Sequence, residues 1–89
     1  MKHFYLEVTY RNGHPLAAYY YLPRCDGDRS TRTERVGRGL VVDYSPDGRA
    51  IGIEITAPAR LDLHELNRLL QRLGQAAVRQ EDFAPLVAA

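Results

Sequence analysis

The stretch GRGLVVDYSPDGRAIGIEITAP, Gly37 to Pro58, reads as a tight antiparallel hairpin. Side chains alternate along a strand, so Ile51, Ile53 and Ile55 share one face and Gly52, Glu54 and Thr56 take the other. On the first arm Leu40, Val42 and Tyr44 share a face, and Val41 and Asp43 its reverse. Ser45-Pro46-Asp47-Gly48 is the turn: Pro46 pre-sets its φ, Asp47 can bond nearby backbone, and Gly48 tolerates positive φ. Two registers are open. A four-residue loop pairs Val42 with Ile51 and Leu40 with Ile53, which joins the apolar rows. A three-residue loop with a glycine bulge pairs Val41 with Ile53 instead. The first is preferred, because register follows the buried face.

Toward the N-terminus, Phe4, Leu6, Val8 and Tyr10 alternate with Tyr5, Glu7 and Thr9, a strand over about 3–10. Arg11-Asn12-Gly13-His14-Pro15 is a turn, with Asn-Gly supplying positive φ. A second strand, LAAYYYL, covers 16–22, with Tyr19 and Tyr21 on one face and Tyr20 on the other. A polar loop, RCDGDRS, follows Pro23. A third strand is placed at 32–44, with an extra piece allowed at Thr31–Val36 and Gly37 and Gly39 marking a bulge or strand edge. The fourth strand is 49–56.

After Pro58 the apolar period lengthens. Leu63, Leu66, Leu70, Leu73 and Ala77, broadened by Leu69, form the stripe of an amphipathic helix over about 62–79. Asp62 followed by Glu65 resembles a capping box. Gly74 is a possible end, and Pro85 is read as stopping any helix in the tail 80–89. The expected fold is α+β: a four-strand antiparallel meander followed by one C-terminal amphipathic helix packed on one sheet face.

An 89-residue chain, 45% hydrophobic and 26% charged, fits one globular domain with a modest core. A net charge of +1 gives no general pull toward nucleic acid or membrane. The densest basic stretch, Arg24, Arg29, Arg32, Arg35 and Arg38, is diluted by Asp26, Asp28 and Glu34, so no nucleic-acid partner is expected. A single cysteine, Cys25, excludes an internal disulfide and suits a reducing cytoplasm. No apolar run approaches a membrane span, and MKHFYLEVTY reads as a strand rather than a signal peptide.

Catalysis finds little support in these residues. His3, His14, His64 and Cys25 fall on separate elements, with no CxxC, HxxxH or HxH spacing, so no metal and no cofactor are expected. No histidine is identifiable as a base for Cys25. Asp43 and Glu54 share the face opposite the isoleucines. A structural ion pair of Glu54 with Arg38 is preferred over acid–base work, which needs a pocket and a second group.

One helix covers one sheet face only. The aromatics and Val41 on the other face need a cover, and a second copy supplies one. Tyr19, Tyr21, Val41, Phe83 and Leu86 are the candidate interface residues of a homodimer.

The run ERVGRGLVVDYSPDGRAIGIEITAP, through Gly39, Asp43, Gly48, Gly52, Ile53, Glu54 and Ile55, resembles the small prokaryotic family called domain of unknown function 2283. Tyr10 and Ala17-Ala18-Tyr19-Tyr20 match its first half loosely, and RNGHP replaces its usual acidic turn. The likeness covers roughly Val8 to Ala57. The family has no assigned catalytic residues, so the resemblance carries none over. Some members are encoded beside small ribonuclease-like toxins, which implies an antitoxin-like role. Three functions are therefore carried forward. The first is a cytoplasmic, non-enzymatic module that self-associates and contacts another protein. The second is an antitoxin-like inhibitor of a small ribonuclease. The third is a ligand or enzyme site at a dimer seam around Glu54 and Asp43.

Overall fold

The computed structural model describes residues 4–87. His3, residues 1–2 and residues 88–89, expected at a strand start and in the tail, lie outside the described residues. The fold is α+β, with five strands rather than four: β1 (Tyr5–Arg11), β2 (His14–Tyr21), β3 (Arg32–Arg35), β4 (Leu40–Tyr44) and β5 (Ala50–Ile55). They form one antiparallel sheet in the order β1-β2-β5-β4-β3. The expected strand over 32–44 is two strands. The chain reverses between them at Gly37 and Gly39, at φ 84° and 70°, and the Val36 N–H donates to the Leu40 carbonyl at 2.9 Å. Left-handed backbone at both glycines makes the reversal inexpensive.

Neither expected register of the central hairpin is the observed one. Val42 lies opposite Ile53, Leu40 opposite Ile55 and Tyr44 opposite Ala50. The loop is longer than expected, Ser45–Arg49, and Ile51 is the extra residue of a bulge on β5. The slip from the preferred register is two residues. Side chains therefore keep their faces, but every cross-strand partner changes. The first hairpin closes through Asn12 (φ 53°) and Gly13 (φ 79°), the positive-φ pair that a two-residue turn requires.

One face of the sheet is roofed. Ala18, Tyr20, Leu40, Val42, Ile53 and Ile55 form a buried cluster with Leu66, Leu69 and Leu70 of α1 (Leu63–Arg72) and with Val78, Phe83 and Leu86. The helix ends seven residues earlier than expected. At its start Asp62 accepts a hydrogen bond from the His64 N–H at 2.9 Å. Glu65 does not complete the box; its carboxylate leans against Gly37, where a Cβ would meet it at 2.5 Å. At the far end Gly74 (φ 74°) donates to the Gln71 carbonyl at 3.0 Å, and Gln75 to Leu70 at 2.8 Å. Those two bonds are the glycine-terminated cap that satisfies the last carbonyls.

Beyond Gly74 the chain turns back along the helix. Asn67 clips it there: its side chain donates to the Val78 carbonyl at 3.1 Å and accepts from the Val78 N–H at 2.8 Å. A 3-10 turn (Gln80–Phe83) then leads into α2 (Ala84–Val87). Pro85 does not stop this helix. It sits in the first turn, where a missing N–H leaves no bond unmade.

Two residues expected at an interface belong to the core of their own chain. Phe83 is 0% exposed and Leu86 4%. The Phe83 ring packs against Tyr20 at 5.1 Å, and Tyr20 stacks on Phe4 at 5.6 Å. Phe83 therefore contributes to folding of the single chain. Phe83→Ala is expected to destabilise it by roughly 3–5 kcal/mol, the usual cost of emptying an aromatic core site. Urea denaturation measures this, and a loss under 1 kcal/mol would place the ring outside the core.

Candidate functional site

The face opposite α1 has no cover within the described residues. Strand pairing assigns to it Tyr5, Glu7 and Thr9 from β1, Ala17, Tyr19 and Tyr21 from β2, Gly52 and Glu54 from β5, and Val41 and Asp43 from β4. Of the expected interface residues, Tyr19, Tyr21 and Val41 lie here and are half-buried.

The tyrosines are partly satisfied by their own chain. Gly52 stands diagonally from Tyr19 on the neighbouring strand, and its missing side chain is the seat for the Tyr19 ring: a Cβ there would run into the phenol. Seated so, the Tyr19 hydroxyl donates to Asp43 Oδ2 at 2.6 Å. The Tyr21 ring meets Tyr19 edge-on at 4.6 Å and Tyr5 at 5.6 Å. The Tyr21 hydroxyl donates to Glu7 Oε1 at 3.2 Å. Arg24 closes the row. Its guanidinium lies 5.1 Å from the Tyr21 ring centre and donates to the Ile51 carbonyl at 2.6 Å, while its Nε is buried without a partner.

Burial first, and then the hydrogen bond to Asp43, push the Tyr19 phenol above its ordinary range. It therefore stays protonated at neutral pH and works as a donor, not as a base. Arg24, Gly52, Tyr5 and Glu7 were not among the expected site residues. The alternation places Gly52 and the tyrosines on one face, but only the cross-strand register shows that the glycine lies under the ring.

The expected Glu54–Arg38 ion pair does not form. In the observed register Glu54 faces Val41 and Tyr19 and is exposed, while Arg38 is exposed in the β3–β4 turn. Asp43 lies opposite Gly52, so Glu54 and Asp43 are not a facing pair either. Among the described residues no three His, Cys, Asp or Glu side chains group as a metal site. No helix among them is long and apolar enough to cross a membrane. A groove of about 390 Å³ runs between α1 and the β3–β4 turn, lined by Leu40, Leu69, Glu65, Arg68 and Arg72 among others, with no Ser, Thr, Cys or His in its wall.

A second polar cluster is a knot beside the hairpin tip. Arg49 donates from Nε to Asp47 at 2.8 Å and from Nη2 to both oxygens of Asp28 at 2.9 and 3.1 Å. Asp28 also accepts from the Cys25 N–H at 2.9 Å, and Asp47 from the buried Ser45 hydroxyl. Together these tie the 25–28 turn to the loop between β4 and β5. Cys25 is exposed at its margin, with Arg49 Nη1 3.9 Å from Sγ.

No family model, no curated protein and no solved structure matches the chain.

Two outcomes follow from these contacts. Gly52→Ala expels the Tyr19 ring and is expected to cost roughly 1–3 kcal/mol; in Tyr19→Ala, where the seat is empty, the same change should cost much less. Equal costs in the two backgrounds of this thermodynamic cycle would refute the seat. The knot has a pH signature. Arg49 and Ser45 hold Asp47 at about 2, and the Cys25 N–H followed by Arg49 lowers Asp28. Both groups are depressed on folding, so their contribution is full above the ordinary range near pH 4 and is lost as pH falls toward 2. The melting-temperature advantage over Arg49→Gln should shrink between about pH 5 and about pH 2.

Proposed function

We propose that the chain is a non-enzymatic protein-interaction module, which self-associates and offers its uncovered sheet face to a partner protein. The observation that carries this reading is the one-sided roof. Helix α1 and the return segment bury a single face, and the other presents three tyrosine rings rimmed by carboxylates. Aromatic rings with polar tips are common where one protein binds another, because they bring apolar area with little conformational freedom to lose. Glu7, Asp43 and Glu54 on the same face disfavour a phosphate backbone and favour a protein surface carrying cations.

The hairpin's likeness to domain of unknown function 2283 names no chemistry and is compatible with this reading. An antitoxin-like inhibitor would be a special case of it, with the basic surface of a small ribonuclease as partner.

Size-exclusion chromatography with light scattering, at concentrations from micromolar upward, tests the self-association. The expected mass is that of two chains. A single chain's mass throughout would overturn the reading.

A further inference from the structure

We propose that two copies of the chain join through their β1 edges, which are unpaired among the described residues, antiparallel about a twofold axis at Val8, and so make one continuous sheet. This inference rests on the self-associating reading above and names the surface responsible.

The two edges of the sheet differ sharply. β3 has four residues, all exposed, and Arg32, Glu34 and Arg35 guard it. Short, charged edges of this kind resist pairing with another chain. β1 has seven residues, Tyr5–Arg11, with no proline and no lysine. The large hydrophobic side chains that stand exposed among the described residues all belong to this hairpin or to its approach: Phe4 (40%), Tyr5 (54%), Tyr10 (53%) and Leu16 (51%). Leu16 is the unpaired residue of a bulge on β2, between the Thr9–Ala17 and Tyr10–Pro15 pairs.

Hydrogen-bond direction shows what the β1 edge offers. The Leu22 N–H donates to the Ile51 carbonyl at 3.2 Å, so even-numbered residues here turn their backbone groups toward β5. By alternation Tyr19 and Tyr21 turn theirs toward β1, and their partners Glu7 and Tyr5 turn toward β2. The N–H and C=O groups of Leu6 and Val8 are therefore left on the open side, and Tyr10 continues the series.

A twofold on Val8 uses the full strand. Val8 meets its own copy, Leu6 meets the second copy's Tyr10, Glu7 meets Thr9, and Tyr5 meets Arg11. Apolar side chains then face apolar ones on the roofed side, and an aromatic ring faces a guanidinium on the other. Centring the axis on Glu7 would set two carboxylates against each other, which is unfavourable. Centring it on Thr9 would pair Glu7 with Arg11 but run Leu6 past the turn at Asn12 and leave Tyr5 without a partner. Pairing at Val8 extends the tyrosine face across both copies, so a partner would meet a platform twice as wide.

The test uses the full chain and Val8→Pro. A proline is tolerated on an edge strand where its missing N–H faced outward, and it removes the donor at the centre of the seam. The wild type is expected to be dimeric by light scattering, and Val8→Pro to keep the far-ultraviolet circular dichroism spectrum while dimerising at least about tenfold more weakly. A folded Val8→Pro that dimerises as tightly as the wild type would overturn the edge seam and leave self-association standing. A monomeric wild type would overturn both. If Val8→Pro does not fold, amide hydrogen exchange in the wild type decides. Leu6 and Val8 should gain protection as dimer forms with rising concentration, and rapid exchange of both in a sample shown to be dimeric would rule the seam out.

Discussion

The antiparallel contact of β2 with β5 holds two locally folded halves together. The β1–β2 hairpin and the β3–β4–β5 run each close through short turns, at little cost in chain entropy. Joining them brings Ala18 opposite Ile55 and Tyr20 opposite Ile53, residues far apart in the sequence. That contact assembles an apolar floor wide enough for α1 to roof, and it also brings Tyr19 within reach of Gly52 and Asp43. The core on one side and the tyrosine row on the other therefore depend on the same four-residue ladder, Ala18–Tyr21 with Gly52–Ile55.

The two faces then take opposite characters from one alternating pattern. On the roofed side Tyr20 is held between Phe4 and Phe83, so its ring links the start of the sheet to the segment that follows α1. On the open side the rings are stabilised edge to edge and by carboxylate acceptors, and they need no lid to stay in place. An aromatic surface that is already organised in the free chain loses little freedom when it binds, which suits it to recognition.

Much of this was legible from local pattern. The alternation of Leu40, Val42, Ile53 and Ile55, the Asn12-Gly13 turn, the Asp62 cap and the apolar stripe of α1 each follow from a few neighbouring residues. What pattern left open was pairing. The loop at Ser45–Arg49 and the bulge at Ile51 move the hairpin by two residues, a slip that preserves every face and so leaves no trace in the periodicity. Phe83 and Leu86 were expected at an interface because the 3-10 turn and short helix that carry them are too brief to show a period, and Asn67, which pins that segment, reads only as a polar helix residue. For the site, the tyrosines and Asp43 were visible as members of one face. The seat at Gly52 and the reach of Arg24 needed the third dimension, since both are contacts across strands.

The phenol–carboxylate bonds also have an optical consequence. The chain has six tyrosines, two phenylalanines and no tryptophan, so its ultraviolet emission is dominated by phenols. Tyr19, Tyr21 and Tyr44 donate to Asp43, Glu7 and Glu34 respectively. An excited phenol is a far stronger acid than one in its ground state, and a carboxylate held against it drains the excitation by taking the proton. Emission from these three phenols is therefore expected to be weak in the folded chain and to rise on unfolding, which would make the three bonds a built-in reporter of their own integrity.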